Sequence, residues 1–160
     1  MRALIALLVA TPVIAGAQHT RTARDSSRVV FVCEHGTVKS LVALEYFNRL
    51  ARARHLPLAA ISRGTTPDTA VPRSVANGLT ADGFDVSAFR PRRFTSEDLS
   101  RGLLVVALDA DVDPVVDKRL PVLRWDGLPS VTANYGVARS AIAARVEKLV
   151  DSLAATRRRK

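Results

Sequence analysis

The chain has 160 residues, 48% hydrophobic and 24% charged, enough length and apolar content for one domain with a real core, which excludes a disordered chain. Lys and Arg number 24 against 15 Asp and Glu, and the resulting net charge of +9 favours anionic ligands; with aromatics at 5% and no nucleic-acid recognition signature, no nucleic acid partner is expected. A single cysteine forbids an intramolecular disulfide and, with only three histidines beside it, leaves no recognisable zinc-ligand spacing.

Residues 1–17 read as a signal peptide. Met1 and Arg2 make a basic start, Ala3 to Val9 carry no polar residue, and Ala15-Gly16-Ala17 is a small-residue cleavage pattern ahead of Gln18. Thr11 and Pro12, then Gln18, His19 and Thr20, interrupt the apolar run too early for a membrane span of roughly 20 residues. Export to the periplasm or the exterior, with cleavage near Ala17, is the expectation. Residues 18–27 form a polar spacer, and residues 28–154 are expected to form the folded domain.

Arg28 to Val32 is a β-branched and aromatic run ending at Cys33, the pattern of a strand buried on both faces. Leu41, Leu44, Phe47 and Leu50 recur at helical spacing through Arg54, with Glu45, Asn48, Arg49 and Arg52 on the opposite face. After Pro57, Leu58 to Ile61 predicts a second strand and Gly64 to Pro67 a loop. Val71 to Asp82 predicts a helix with Pro72 in its first turn and Gly83 as its stop. Leu103 to Leu108 is the clearest strand, and Val122 to Trp125 is a fourth. A loop with Gly127, Pro129 and Asn134 leads to a long last helix striped by Ala138, Ile142, Val146, Leu149 and Leu153. Residues 155–160 are a basic tail whose contact with an anionic membrane surface would be weak. Alternating strands and helices predict an α/β domain with a mostly parallel sheet, in which ligands sit beyond the carboxyl ends of the strands. That rule points at Cys33.

The chemistry concentrates in Cys33-Glu34-His35-Gly36-Thr37-Val38-Lys39-Ser40, between the first strand and the first helix. A loop opening a helix turns successive backbone N–H groups inward and, with the helix dipole, cradles a tetrahedral oxyanion. A thiol set in that field ionises more readily than a free one and becomes a nucleophile aimed at phosphorus or arsenic. Gly36 permits the tight backbone. Lys39, separated from Cys33 by five residues, supplies positive charge, and the Ser40 hydroxyl can donate to the thiolate. His35 is a candidate for stabilising the thiolate or moving a proton. Asp109 and Asp111 read as exposed turn residues, and Asp113-Pro114 as a turn or helix start.

The stretch VVFVCEHGTVKSLVALEYFNRLA resembles the phosphate-binding loop and first helix of low-molecular-weight protein tyrosine phosphatases and their arsenate reductase relatives. Ser62-Arg63-Gly64-Thr65 is similar to that family's segment after the second strand. Gly83-Phe84-Asp85-Val86-Ser87 with Arg90-Pro91-Arg92 is similar to its segment before the third, and LLVVALDADVD to the third strand and its exit. The resemblance spans roughly residues 28 to 153. It implies a four-stranded parallel sheet flanked by helices in a flavodoxin-like three-layer domain, with no metal and no organic cofactor. It also implies that Cys33 is the nucleophile and that Glu34, His35, Gly36, Thr37, Val38 and Lys39 surround the oxyanion. The implied partners are a phosphorylated protein or small phosphomonoester, inorganic phosphate or arsenate. Trp125 and Tyr135 are candidates for walling the pocket against an aryl group.

Two positions depart from the family pattern. Lys39 replaces an Arg whose planar fork binds two oxygens at once, and loss of one charge-assisted bond of about 1.5–3 kcal/mol slows reaction by roughly ten- to 150-fold. The Asp-Pro general acid is missing, the matching region reading Trp125-Asp126-Gly127-Leu128-Pro129-Ser130. Asp126 is the residue expected to take that role from a shifted loop. Three readings follow: a phosphatase acting on aryl phosphomonoesters such as phosphotyrosine through a phosphocysteine; a single-cysteine arsenate reductase needing an external thiol; and a non-catalytic oxyanion or phosphoprotein-binding module. The first is preferred, and aryl phosphates suit it best because a phenolate leaves with less protonic help than an alkoxide.

Overall fold

The structure, a computed structural model, describes residues 27–116 and 120–158. The expected signal peptide, the spacer up to residue 26 and the last two tail residues lie outside the described residues. Strand β1 (Ser27–Cys33) is followed by helix α1 (Lys39–Ala53), strand β2 (Leu58–Gly64) and helix α2 (Arg73–Ala81). A 3-10 helix, Ser96–Arg101, leads into β3 (Gly102–Leu108), then β4 (Val122–Trp125) and helix α3 (Tyr135–Arg158).

All strands are parallel, in the order β2-β1-β3-β4, so the sheet is the four-stranded parallel one expected. The apolar run of β1 is the reason it sits inside. Val29, Val30, Phe31 and Val32 are wholly buried, which requires a covering layer on each face. On one face Val29, Phe31, Val106 and Leu108 pack with Leu41 and Phe47 of α1 and Ile142 and Val146 of α3. On the other, Val30, Val32, Val105 and Ala107 pack with Phe94 and Val112, and Leu99 of the 3-10 helix adds to them. Alternate residues of one strand therefore serve opposite cores, as the period-two geometry of a strand dictates. Phe31 joins the layers, its ring centroid 5.7 Å from that of Phe47 and 5.8 Å from that of Trp125. Burying each such side chain contributes about 1.5–3 kcal/mol.

Three elements differ from the sequence reading. β2 runs to Gly64, beyond Ile61, because its pairing with β1 continues through Phe31 with Ser62, Val32 with Arg63 and Cys33 with Gly64. Ladder hydrogen bonds there outweigh the polar side chains. The 3-10 helix carried no periodic apolar signal; it is set by its start, where the Thr95 N–H donates to the Asp98 carboxylate at 3.1 Å and that carboxylate also accepts from Arg63. The last helix continues to Arg158, so residues expected in the tail prolong it by cationic side chains favourable at a helix C-terminus. Asp113-Pro114 falls in a turn, and His55 lies just past α1 with φ of 53°, exposed.

The register aligns the carboxyl ends of the central strands. Cys33 ends β1 opposite Gly64, and Leu108 ends β3 opposite Trp125, so the loops after all four strands converge on one edge of the sheet.

Candidate active site

α1 begins without a side-chain cap and without an acidic residue in its first turn. Its first backbone bond runs from the Val42 N–H to the Val38 carbonyl, so the N–H groups of Lys39, Ser40 and Leu41 lie ahead of the intrahelical ladder. Cys33 ends the strand immediately before this loop. Its Sγ accepts the Gly36 N–H at 3.2 Å and lies 3.0 Å from Ser40 Oγ. Ser62, 2% exposed, sits 2.7 Å from Ser40 Oγ and 2.9 Å from the Gly36 carbonyl. When Cys33 is a thiolate it can only accept, so Ser40 donates to sulfur, and the single Ser62 hydroxyl proton is shared between Ser40 Oγ and the Gly36 carbonyl.

Glycine is required twice. Gly36 has φ of 69°, and a Cβ built on it would lie 2.7 Å from the Gly64 nitrogen. A Cβ on Gly64 would in turn lie 2.9 Å from the Gly36 nitrogen and the Glu34 oxygen. The loop and the β2 exit are thus in backbone contact, stitched by N–H donation from Thr65 to the Cys33 carbonyl, Thr66 to that of Glu34 and Asp68 to that of His35.

A cavity of 260 Å³ opens over Cys33. Glu34, His35, Val38 and Lys39 line it from the loop side, Leu108 and Asp109 from the end of β3, and Leu128 with residues 130–132 from the loop before α3. The expected oxyanion loop residues divide here. Gly36 and Thr37 are buried, and the Thr37 hydroxyl donates to Asp68 at 2.5 Å. Lys39 Nζ lies 2.5 Å from Asp109 Oδ2, so the cation faces the cavity already paired.

Asp109 is exposed in a bend, as read from the sequence, and it also organises the cavity's far wall. It has φ of 48°, and its carboxylate accepts N–H groups from Gly127 at 2.6 Å and Leu128 at 3.2 Å besides the Lys39 ammonium. Burial alone would raise its carboxyl pKa, but the hydrogen bonds from Lys39 and the two N–H groups, with the lysine charge, together hold it below the usual carboxylate range. The sequence signal that could have marked it was its place at the carboxyl end of a parallel strand.

Three expected placements are corrected. Trp125 does not wall the pocket: it is 6% exposed and packs on Phe31, because the end of β4 faces the core. Asp126 is not among the cavity residues; it is exposed, and Arg145 binds its backbone carbonyl at 3.1 Å. The turn at Gly127, φ 69°, instead directs Leu128 toward the site. Tyr135 also lies away from the cavity, donating its hydroxyl to Asp82 at 2.6 Å. Among the described residues, no group of three or more His, Cys, Asp or Glu could hold a metal ion.

The family model for low molecular weight phosphotyrosine protein phosphatase matches residues 28–119. Among solved structures, the low molecular weight phosphotyrosine phosphatase of Vibrio cholerae O395 superposes with a TM-score of 0.71 at 17% identity, covering 80% of this chain and 97% of that one. An arsenate reductase of Archaeoglobus fulgidus gives 0.58 at 28% identity, with 77% and 98% covered. The thioredoxin-dependent arsenate reductase of Corynebacterium glutamicum gives 0.67 at 18% identity over 82% of this chain, which spans 63% of the length of that relative. A search of curated proteins returned no significant match.

Proposed function

We propose, from the premise that the chain belongs to the low molecular weight phosphotyrosine protein phosphatase family, that it hydrolyses aryl phosphomonoesters through a phosphocysteine on Cys33. One observation carries the reading: a buried cysteine whose sulfur receives the Gly36 N–H and faces Ser40, at the base of a cavity that a lysine also lines. In this mechanism the phosphoryl group enters with its oxygens toward the loop and the start of α1. Lys39 spends one N–H on Asp109 and keeps two for the oxyanion. The thiolate attacks phosphorus and the bond from phosphorus to the aryl oxygen breaks. Water then cleaves the S–P bond, and Ser40 donates to the sulfur that leaves. Ser62 supports Ser40 from behind. Inorganic phosphate, the product, and arsenate, its analogue, suit the same cradle.

Export belongs to the same proposal, and what supports it is the sequence of residues 1–17 alone. A protein so located leaves the cytosolic thiol pool behind, and a single cysteine offers no internal relay, so arsenate reduction would require an external thiol. A binding-only module is the second reading. It is favoured by the pairing of Lys39 with Asp109 and by the position of Asp126 away from the cavity.

Steady-state hydrolysis of 4-nitrophenyl phosphate under reducing conditions tests the proposal. Cys33→Ser is expected to abolish turnover, while Lys39→Arg raises it roughly ten- to 150-fold, the worth of one restored charge-assisted bond. Folded wild type and Lys39→Arg proteins that both bind phosphate without turnover would overturn the enzyme reading in favour of the module. Arsenate-dependent consumption of added thiol would redirect it to reduction.

A further inference from the structure

We propose that His35 is the general acid and base of this site, held in that role by Asp68; the inference rests on the phosphatase reading above. His35 lines the same cavity as Cys33 and Lys39. Its Nδ1 lies 3.2 Å from Asp68 Oδ1, while the other oxygen of that carboxylate accepts the Thr37 hydroxyl and the Asp68 N–H donates to the His35 carbonyl at 3.1 Å. One residue from the β2 exit thus meets the loop through two hydrogen bonds and one ion-pair contact. A carboxylate within ion-pair distance of Nδ1 favours the proton on that nitrogen and leaves Nε2 to exchange one in the proposed step. Glu34 Oε2 lies 3.8 Å from Nε2, beyond hydrogen-bond length, so this nitrogen is not tied to it.

The other carboxylates fit the role less well. Asp109 accepts from three donors and is held ionised, which leaves it no proton to give. Asp126 does not line the cavity. Glu34 does line it, but its side chain is 68% exposed and has no partner to aim it beyond the loose approach to His35, so it is the rival that the experiment must separate.

The step balances as follows. Cys33 thiolate forms the S–P bond as the bond from phosphorus to the aryl oxygen breaks, and the Nε2 proton of the imidazolium passes to that oxygen, releasing a phenol. The neutral imidazole then takes a proton from water as its oxygen attacks phosphorus. The S–P bond breaks, phosphate leaves and the thiolate and imidazolium are restored. Asp68 touches none of the reacting atoms and is a positioning residue.

The test is a leaving-group series on the full-length protein, from 2,4-dinitrophenyl to phenyl phosphate, reading kcat/KM for wild type, His35→Gln, Glu34→Gln, Asp68→Ala and the His35→Gln/Asp68→Ala pair. General acid catalysis is worth about 10²- to 10⁴-fold where the leaving group is poor. His35→Gln is therefore expected to lose about 100-fold on phenyl phosphate and only a few-fold on the dinitrophenyl ester. Asp68→Ala should show the same slope more weakly, and the pair should be no worse than His35→Gln alone, because the two act as one unit. Equal loss on every ester, or the slope appearing in Glu34→Gln instead, overturns the inference while the phosphatase reading stands. A wild type that hydrolyses none of the esters overturns both. His35 is exposed, so circular dichroism melts of His35→Gln are expected to match wild type and keep the kinetic comparison clean.

Discussion

At Gly36 a single hydrogen atom in place of a side chain decides whether the loop closes. The backbone is left-handed and the neighbouring strand exit stands 2.7 Å from where a Cβ would be, with backbone rather than a flexible tip in the way. Gly36→Ala is expected to cost about 1–3 kcal/mol for the strained conformation alone, and to lower phosphate affinity further because relief comes only by opening the loop. Urea unfolding and phosphate titration check both parts. Asp109 makes the second residue-scale case. Its folded pKa is depressed, so its contribution to stability is fully present above the unfolded carboxyl value of about 3.9, and is lost as the pH falls through the lower folded value. Asp109→Asn is expected to be less stable than wild type at pH 7, with the gap narrowing as the pH falls below the usual carboxylate range; urea midpoints followed down in pH measure it. Legibility at this scale was uneven. Cys33, Lys39 and Ser40 stood out because their spacing is local, whereas Asp109 and Gly64 reach the loop only across crossovers.

Among the elements, the contact of α1 with α3 and the chain beside them carries an unusual polar seam. The hydroxyls of Tyr46 and Tyr135 both donate to Asp82 Oδ2, at 3.0 and 2.6 Å. Arg49 binds the Asp82 carbonyl and lies 3.5 Å over the Phe84 ring. Burial, then the Asp82 hydrogen bond and charge, push both phenols above the ordinary tyrosine range. Raised values mean stability that is present below the unfolded tyrosine pKa of about 10 and is lost as pH rises toward the folded values. Both tyrosines of the chain are therefore expected to ionise late and together with alkaline unfolding, and absorbance at 295 nm followed against circular dichroism tests this. Gly78 of α2 makes room for the seam, since a Cβ there would lie 2.6 Å from the Tyr135 ring. Element identity was legible from period and punctuation, as in the stripe of α3. The extent of β2 was not, because Ser62, Arg63 and Gly64 join the strand by pairing with β1, a non-local act.

For the whole molecule, charge and address are the properties at stake. A net charge of +9 raises the local concentration of anions around the cavity, so phosphate affinity is expected to fall as ionic strength rises past about 0.1 M, where the Debye length shrinks to about 10 Å. Titration at two salt concentrations measures it. Expression in a secreting host with intact-mass analysis tests the address: a chain beginning at Gln18 is the expected outcome, and retention of Met1 in the exported fraction would refute it.

Sequence by itself determined that a thiol ends a buried strand and opens a helix, that strands and helices alternate into a parallel sheet, and that the loop is of the family's kind. Those features are written in contiguous residues, whose periodicity and spacing act over a few turns of backbone. Tertiary structure alone decided that Lys39 meets Asp109, that Asp68 takes hold of His35 and Thr37, and that Trp125 goes to the core while Leu128 goes to the site. Such partners are separated by tens of residues and brought together by strand order and register. A parallel sheet gathers the exits of all its strands at one edge, and which side chain faces which across that edge follows from a pairing that no local pattern encodes.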